Sequence, residues 1–283
     1  MRIVTTTSGF ETSKSPVEIA EMICRAGFEG IDLSFTATTT EQTALEVKQM
    51  ADSFGVPIVQ AHAPIPKVKY REEVELIEAT IESIKKTVEI SAKIGIETIV
   101  IHPVRLCEGD HKEQLDFNLG FYRPIVKLAE EKGINLAIEN MCGFKPHKDG
   151  YKVKHVCKTA EELSAYVKAF NSPNVVACLD TGHAYISEQS PAEFVRDMGK
   201  GGISALHIQD CDGIGDLHTL PYLSDIEWEP FCKALADTEY SGDITLEAVL
   251  FTRALPKELL LPGLCLAKET AEHIRNRVKF YSR

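Results

Sequence analysis

Gly133-Ile134-Asn135-Leu136-Ala137-Ile138-Glu139-Asn140 contains one complete structural period of this chain. A glycine closes an amphipathic stretch, Glu113 to Lys132, as a helix stop. A short apolar run, Asn135 to Glu139, follows and ends on a carboxylate. The run is too short for a helix, and its continuous apolar character suits a parallel strand roofed by helices.

The same unit recurs outward in both directions. Strands are expected at Ile3 to Thr6, Gly30 to Leu33, Pro57 to His62, Thr98 to His102, Asn135 to Glu139, Val175 to Asp180, Ile203 to Ile208 and Asp243 to Glu247. Helices are expected between them at Pro16 to Ala26, Thr40 to Phe54, Glu72 to Ile94, Glu113 to Lys132, Thr159 to Phe170, Pro191 to Met198, Glu227 to Asp237 and Leu264 to Phe280. Ser15-Pro16 and Ser190-Pro191 mark helix starts, since proline suits the first turn. Dividing 283 residues among these strand-helix units gives about 35 residues each. The fold class expected is α/β, a (β/α)8 TIM barrel in a single domain over residues 1–283. A doubly wound open sheet would place a glycine-rich phosphate turn after its first strand, and Thr5-Thr6-Thr7-Ser8-Gly9 is not one.

Composition narrows the setting. Hydrophobic residues are 44% and charged residues 26%, ordinary for a chain that buries a large core without disulfides. The 8 cysteines are scattered with no CxxC pair, which favours a reducing cytoplasm. The start lacks the apolar core of a signal peptide, and no run of about 18 apolar residues spans a membrane. A net charge of −11 argues against nucleic acid, whose phosphates reward a basic face.

The polar residues fall at telling places. His62, His102, Glu139, Asp180 and Glu247 each end an expected strand, and His207 stands one residue before the end of another. In a barrel all strands end on one face, so residues far apart in sequence surround one pocket. A buried carboxylate is costly without a counter-charge, so Glu139, Asp180 and Glu247 grouped with His207 point to a cation. His183, Asp216 and His218 lie just beyond strand ends and could bind substrate or a second metal. Arg105 after the fourth strand and Lys145, in a basic stretch reaching Lys158 after the fifth, are candidates for binding an anion.

Ile138-Glu139-Asn140-Met141, Leu179-Asp180-Thr181-Gly182-His183, Leu206-His207-Ile208-Gln209-Asp210, Gly215-Asp216-Leu217-His218 and Leu246-Glu247-Ala248 resemble the xylose isomerase-like barrel superfamily. That superfamily includes sugar-phosphate isomerases, tagatose 3-epimerase-like enzymes and endonuclease IV. The resemblance implies one divalent ion (Mn²⁺, Zn²⁺, Co²⁺ or Mg²⁺) on Glu139, Asp180, His207 and Glu247. It also implies a small carbohydrate substrate, with Glu139 and Glu247 catalytic. The expected chemistry is proton abstraction beside a carbonyl through an enediolate stabilised by the metal, giving isomerisation or epimerisation. A keto-polyol dehydratase would begin with the same step. Met141-Cys142-Gly143-Phe144-Lys145 departs from the hexulose epimerases, which bears on free hexuloses as substrates. The rival reading is an endonuclease IV-like multinuclear zinc phosphodiesterase. Its metal positions find counterparts in His62, His102, Glu139, Asp180, His183, His207, Asp216, His218 and Glu247. The sequence leaves a homo-oligomer open.

Overall fold

A computed structural model describes residues 1–10, 14–36, 38–142 and 156–283. Along the chain it places β1 (Ile3–Thr6), α1 (Pro16–Arg25), β2 (Gly30–Ser34), α2 (Glu41–Ser53), β3 (Ile58–His62), α3 (Val74–Ile94), β4 (Thr98–Ile101) and α4 (His111–Lys132). These are followed by β5 (Asn135–Glu139), α5 (Ala160–Phe170), β6 (Val175–Asp180), α6 (Thr181–Ile186), α7 (Pro191–Met198) and β7 (Ala205–His207). The last elements are α8 (Trp228–Asp237), β8 (Ile244–Leu246), α9 (Val249–Arg253), a 3₁₀ turn (Lys257–Leu259) and α10 (Leu260–Tyr281).

The strands form one 8-stranded sheet in the order β7-β6-β5-β4-β3-β2-β1-β8, every paired neighbour parallel. Its ends meet through a parallel bridge between Ile208 and Leu246. Ile208 N–H donates to Thr245 O at 2.8 Å, and Glu247 N–H donates to Ile208 O at 2.9 Å. The chain is therefore a (β/α)8 barrel, with helices between its strands.

Helix starts follow local chemistry. Ser15, Asp110 and Ser190 each close a capping box, with Glu18, Glu113 and Glu193 reaching back to the cap N–H. The Asp110 box explains why α4 begins at His111 rather than at Glu113: the glutamate belongs to the first turn of a helix capped upstream. Beyond the expected elements, α6 forms because Asp180 caps it, its Oδ1 accepting from His183 N–H at 2.6 Å. β7 is shorter than expected, since beyond His207 only the Ile208 bridge continues the pairing.

Alternation along the strands sorts the side chains. Val100, Ala137, Cys178 and Ala205 form a buried cluster separate from the main core, which lies between sheet and helices. Two residues further on come His102, Glu139, Asp180 and His207, on the same side of the sheet. Small apolar residues thus floor the barrel where polar ones crown it.

Asp210, just after β7, organises the long β7–α8 loop. Its wholly buried carboxylate accepts from Cys211 N–H (2.9 Å), Ile226 N–H (3.0 Å), Tyr222 N–H (2.9 Å), Ser224 N–H (3.3 Å) and Trp228 Nε1–H (3.0 Å). Trp228, the first residue of α8, is buried, and its indole ties the helix to this carboxylate. Replacing Asp210 by Ala strands several buried donors together, so a loss of about 3 kcal/mol or more is expected. Chemical denaturation of the variant checks this, and an unchanged midpoint would contradict it.

Candidate functional site

Glu139 ends β5, Asp180 ends β6, His207 ends β7 and Glu247 directly follows β8. Glu139 is 1% exposed, and Asp180 and His207 are fully buried. One ligand atom from each of the four lies within 4.8 Å of the others. His207 Nδ1 stands 3.3 Å from Glu139 Oε2 and 3.5 Å from Glu247 Oε2. Glu139 Oε2, Asp180 Oδ2, His207 Nδ1 and Glu247 Oε2 are all buried without a hydrogen-bond partner among the described residues. Polar atoms buried in this way are costly unless a further group satisfies them. Carboxylate and imidazole donors at this spacing suit a divalent ion of the Mg²⁺, Mn²⁺, Co²⁺ or Zn²⁺ type.

Backbone carbonyls arrange three of the remaining histidines. A carbonyl only accepts, so His62 Nδ1–H donates to Ala63 O (2.7 Å), His183 Nδ1–H to Asn140 O (2.8 Å) and His218 Nδ1–H to Glu247 O (3.0 Å). Each bond leaves Nε2 for other partners, as outer contacts of metal-binding histidines do. His62 Nε2 meets His102 Nε2 at 3.0 Å, and His102 Nε2 lies 3.0 Å from Glu139 Oε2. Asp216 lies between two rings, with His183 Nε2 at 3.4 Å and His218 Nε2 at 3.1 Å. Three further groups able to hold a metal emerge among the described residues: His62 with His207 and Glu247, His62 with His102 and Glu139, and Cys142 with His183 and Asp216.

Supporting contacts hold these groups in place. Asn140 clasps Asp180, its Nδ2–H donating to Asp180 O at 3.0 Å and its Oδ1 accepting from Asp180 N–H at 2.7 Å. Gln209 joins two groups, donating from Nε2 to Asp180 Oδ1 (3.2 Å) and to Asp216 Oδ1 (2.9 Å). Its Oε1 accepts from His218 N–H at 2.9 Å, fixing a residue whose φ of 39° is strained for a non-glycine. Gly182 makes room for Gln209, because a Cβ there would stand 2.3 Å from the Gln209 side-chain carbon.

Charges inside this shell are strongly shifted. Burial lifts the Asp180 carboxyl to about 7, helped by Glu139 and Glu247 and opposed by His183. Burial also works on His207 and His218, pushing each down, but nearby carboxylates outweigh it. Glu247 and Glu139 hold His207 well above its ordinary range, and Glu247 and Asp216 bring His218 to about 10. Burial opposes ionisation of Asp216, yet hydrogen bonds from His183 and His218 hold its carboxyl below the usual range.

Glu139, Glu247, His62, His102, His183, Asp216 and His218 open onto a pocket of about 730 Å³. Phe35, Ile65 and Leu76 give it an apolar wall, and Arg105 and Lys67 supply positive charge. Every carboxylate and histidine singled out in the sequence is thus brought to one end of the barrel. Arg105 shares their pocket, whereas Lys145 lies outside the described residues. Asp32, Gln60, Asn140, Cys142 and Gln209 were not singled out. Asp32 and Gln60 carried a readable signal, being polar residues inside otherwise apolar strands.

A family model described as a xylose isomerase-like TIM barrel matches residues 21–277. An uncharacterized protein of Methanocaldococcus jannaschii is 30% identical over 205 residues, covering 70% of this chain and 67% of its own. A D-psicose 3-epimerase of Ruminiclostridium cellulolyticum is 28% identical over 138 residues, covering 49% of this chain and 42% of its own. Among solved structures, a D-tagatose 3-epimerase-like protein superposes with a TM-score of 0.80 at 23% identity, covering 100% of both chains. D-psicose 3-epimerase from Clostridium cellulolyticum H10 gives 0.78 at 17% identity, covering 98% of this chain and 99% of its own. At such identities the structural likenesses speak to the fold, and the family model speaks to descent. The chain belongs to the xylose isomerase-like TIM-barrel family.

Proposed function

We propose that the chain is a divalent-metal-dependent isomerase or epimerase of a sugar, sugar phosphate or keto-polyol. The observation that carries this reading is the set of unpartnered buried atoms on Glu139, Asp180, His207 and Glu247. The partial match to a D-psicose 3-epimerase supports the substrate class. Those residues would hold the ion, which when bound supplies a Lewis acid that polarises a substrate carbonyl.

Glu247 and Glu139 both face the pocket, one from beyond β8 and the other from the end of β5. One carboxylate takes the proton from the carbon beside the carbonyl, and the other returns a proton to the opposite face or to the neighbouring carbon. His183, Asp216 and His218 line the same pocket, where they would orient substrate hydroxyls. Arg105 would receive an anionic group if the substrate carries one.

The convergence of His62, His102, His183, Asp216 and His218 around the quartet favours a second reading, a multinuclear zinc phosphodiesterase related to endonuclease IV. Two or three ions would then clamp a phosphate. The net charge of −11 stands against a nucleic-acid substrate. Metal analysis of the purified protein separates the readings: about one ion per chain is expected for the isomerase and about three zinc ions for the phosphodiesterase.

Replacing Glu247 by Gln is expected to lower hydrogen–deuterium exchange beside ketose carbonyls by about 10²-fold or more while leaving the circular dichroism spectrum unchanged. Retained exchange would sink the proton-transfer role.

Asp180 has a carboxyl at about 7 without the ion, and His207 is raised, so both must lose protons as a metal binds. Lower pH favours the protonated, non-ligating forms. Affinity for Mn²⁺ should therefore fall about tenfold or more per pH unit below 7, with proton release seen by calorimetry in buffers of different ionisation heat. Equal affinity at pH 6 and pH 8 would contradict this.

A further inference from the structure

Below the quartet, inside the barrel, lies a carboxylate that the proposed chemistry does not use. Asp32 sits in the middle of β2, paired in register with Thr6 on one side and Gln60 on the other. It is fully buried, and neither carboxylate oxygen has a hydrogen-bond partner among the described residues. A carboxylate left in that condition is expensive, and a fold retains one only where something offsets the cost. The group set against it is His207 Nε2, 3.5 Å from Asp32 Oδ2.

His207 differs from the other histidines of the site. His62, His183 and His218 give Nδ1–H to backbone carbonyls and turn Nε2 toward the pocket. His207 is reversed: Nδ1 faces Glu139 and Glu247, and Nε2 points down to side chains alone. A neutral imidazole carries one N–H, and the nitrogen that ligates must be the bare one. For Nδ1 to ligate, the hydrogen must sit on Nε2 and find an acceptor.

Two side chains compete there with opposite effect. The Gln60 amide nitrogen, 3.1 Å from His207 Nε2, can only donate, and that bond places the ring hydrogen on Nδ1, where it blocks ligation. Asp32 Oδ2, at 3.5 Å, can only accept, and a bond to it would place the hydrogen on Nε2 and bare Nδ1. A hydrogen bond to a carboxylate in a buried site is the stronger of the two.

We infer that Asp32 is the positioning residue for His207, selecting through Nε2 the ring form whose Nδ1 can hold an ion. Asp32 touches neither substrate nor ion; it decides whether His207 is ready for one. The inference rests on the reading of the quartet as a metal site.

The test uses the full-length protein with Mn²⁺ and Zn²⁺ as probes. Asp32→Asn is nearly the same shape and is expected to bind Mn²⁺ about 10- to 100-fold more weakly than the wild type. Gln60→Leu removes the competing donor and is expected to bind at least as tightly. In the zinc-loaded protein the His207 Nε2–H proton is expected far downfield in the NMR spectrum, moving upfield in Asp32→Asn; a merely structural role for Asp32 would not shift it. Unchanged Mn²⁺ affinity in Asp32→Asn, or an unmoved resonance, overturns the inference while leaving the metal site standing. An equal loss in Gln60→Leu overturns it by giving the role to Gln60. A wild type that takes up no Mn²⁺ overturns the metal reading, and this inference falls with it.

Discussion

Mutual repulsion among buried carboxylates is the constraint around which this barrel is organised. Parallel strands closed in a ring must end on one face, and alternate residues must point inward. The sequence uses that geometry to bring Glu139, Asp180 and Glu247 together, with Asp32 beneath them. Acidic side chains out of water and close to each other raise one another's cost of ionisation. The surrounding imidazoles offset part of that cost, as the raised His207 and His218 show. A divalent cation would offset it more completely. The fold supplies the convergence, and the convergence creates the demand for positive charge.

Precision comes from a layer of uncharged polar groups. Asn140 and Gln209 each serve two neighbours, so strand ends and the β7–α8 loop are fixed relative to one another rather than singly. Backbone carbonyls choose the ring form of several histidines, a choice that no side-chain substitution removes. Asp210 does for the loop what these groups do for the site, drawing its backbone N–H groups inward around one carboxylate.

Much of this was legible in the sequence because period and position carry it. Repeated short apolar runs, most of them after a glycine stop, specify strands and helices, and a charged residue ending such a run stands out against its neighbours. Boundaries were less legible where pairing rather than composition sets them. Ile203 and Ser204 look as strand-like as Ala205, yet β7 spans only what its partners pair with. The short α6 was missed because Asp180 looked like a strand end and ligand, not also a helix cap. Gln209 and Asn140 were missed because an amide beside a carboxylate has no periodic signature; only proximity in space reveals what it holds. Asp32 sat in plain view inside β2, and its meaning emerged only when His207, far along the chain, was placed beside it.

The closure between β7 and β8 has a mechanical consequence. Elsewhere the ring is joined by ladders of several residue pairs, but here, among the described residues, a single bridge pairs Ile208 with Leu246. His207 and Glu247 stand on opposite lips of that seam, each next to a bridging residue. An ion gripped by both would act as a rivet through the thinnest weld of the hoop. Loading the site and locking the barrel's circumference would then be a single event, felt first by the amides of Ile208 and Glu247.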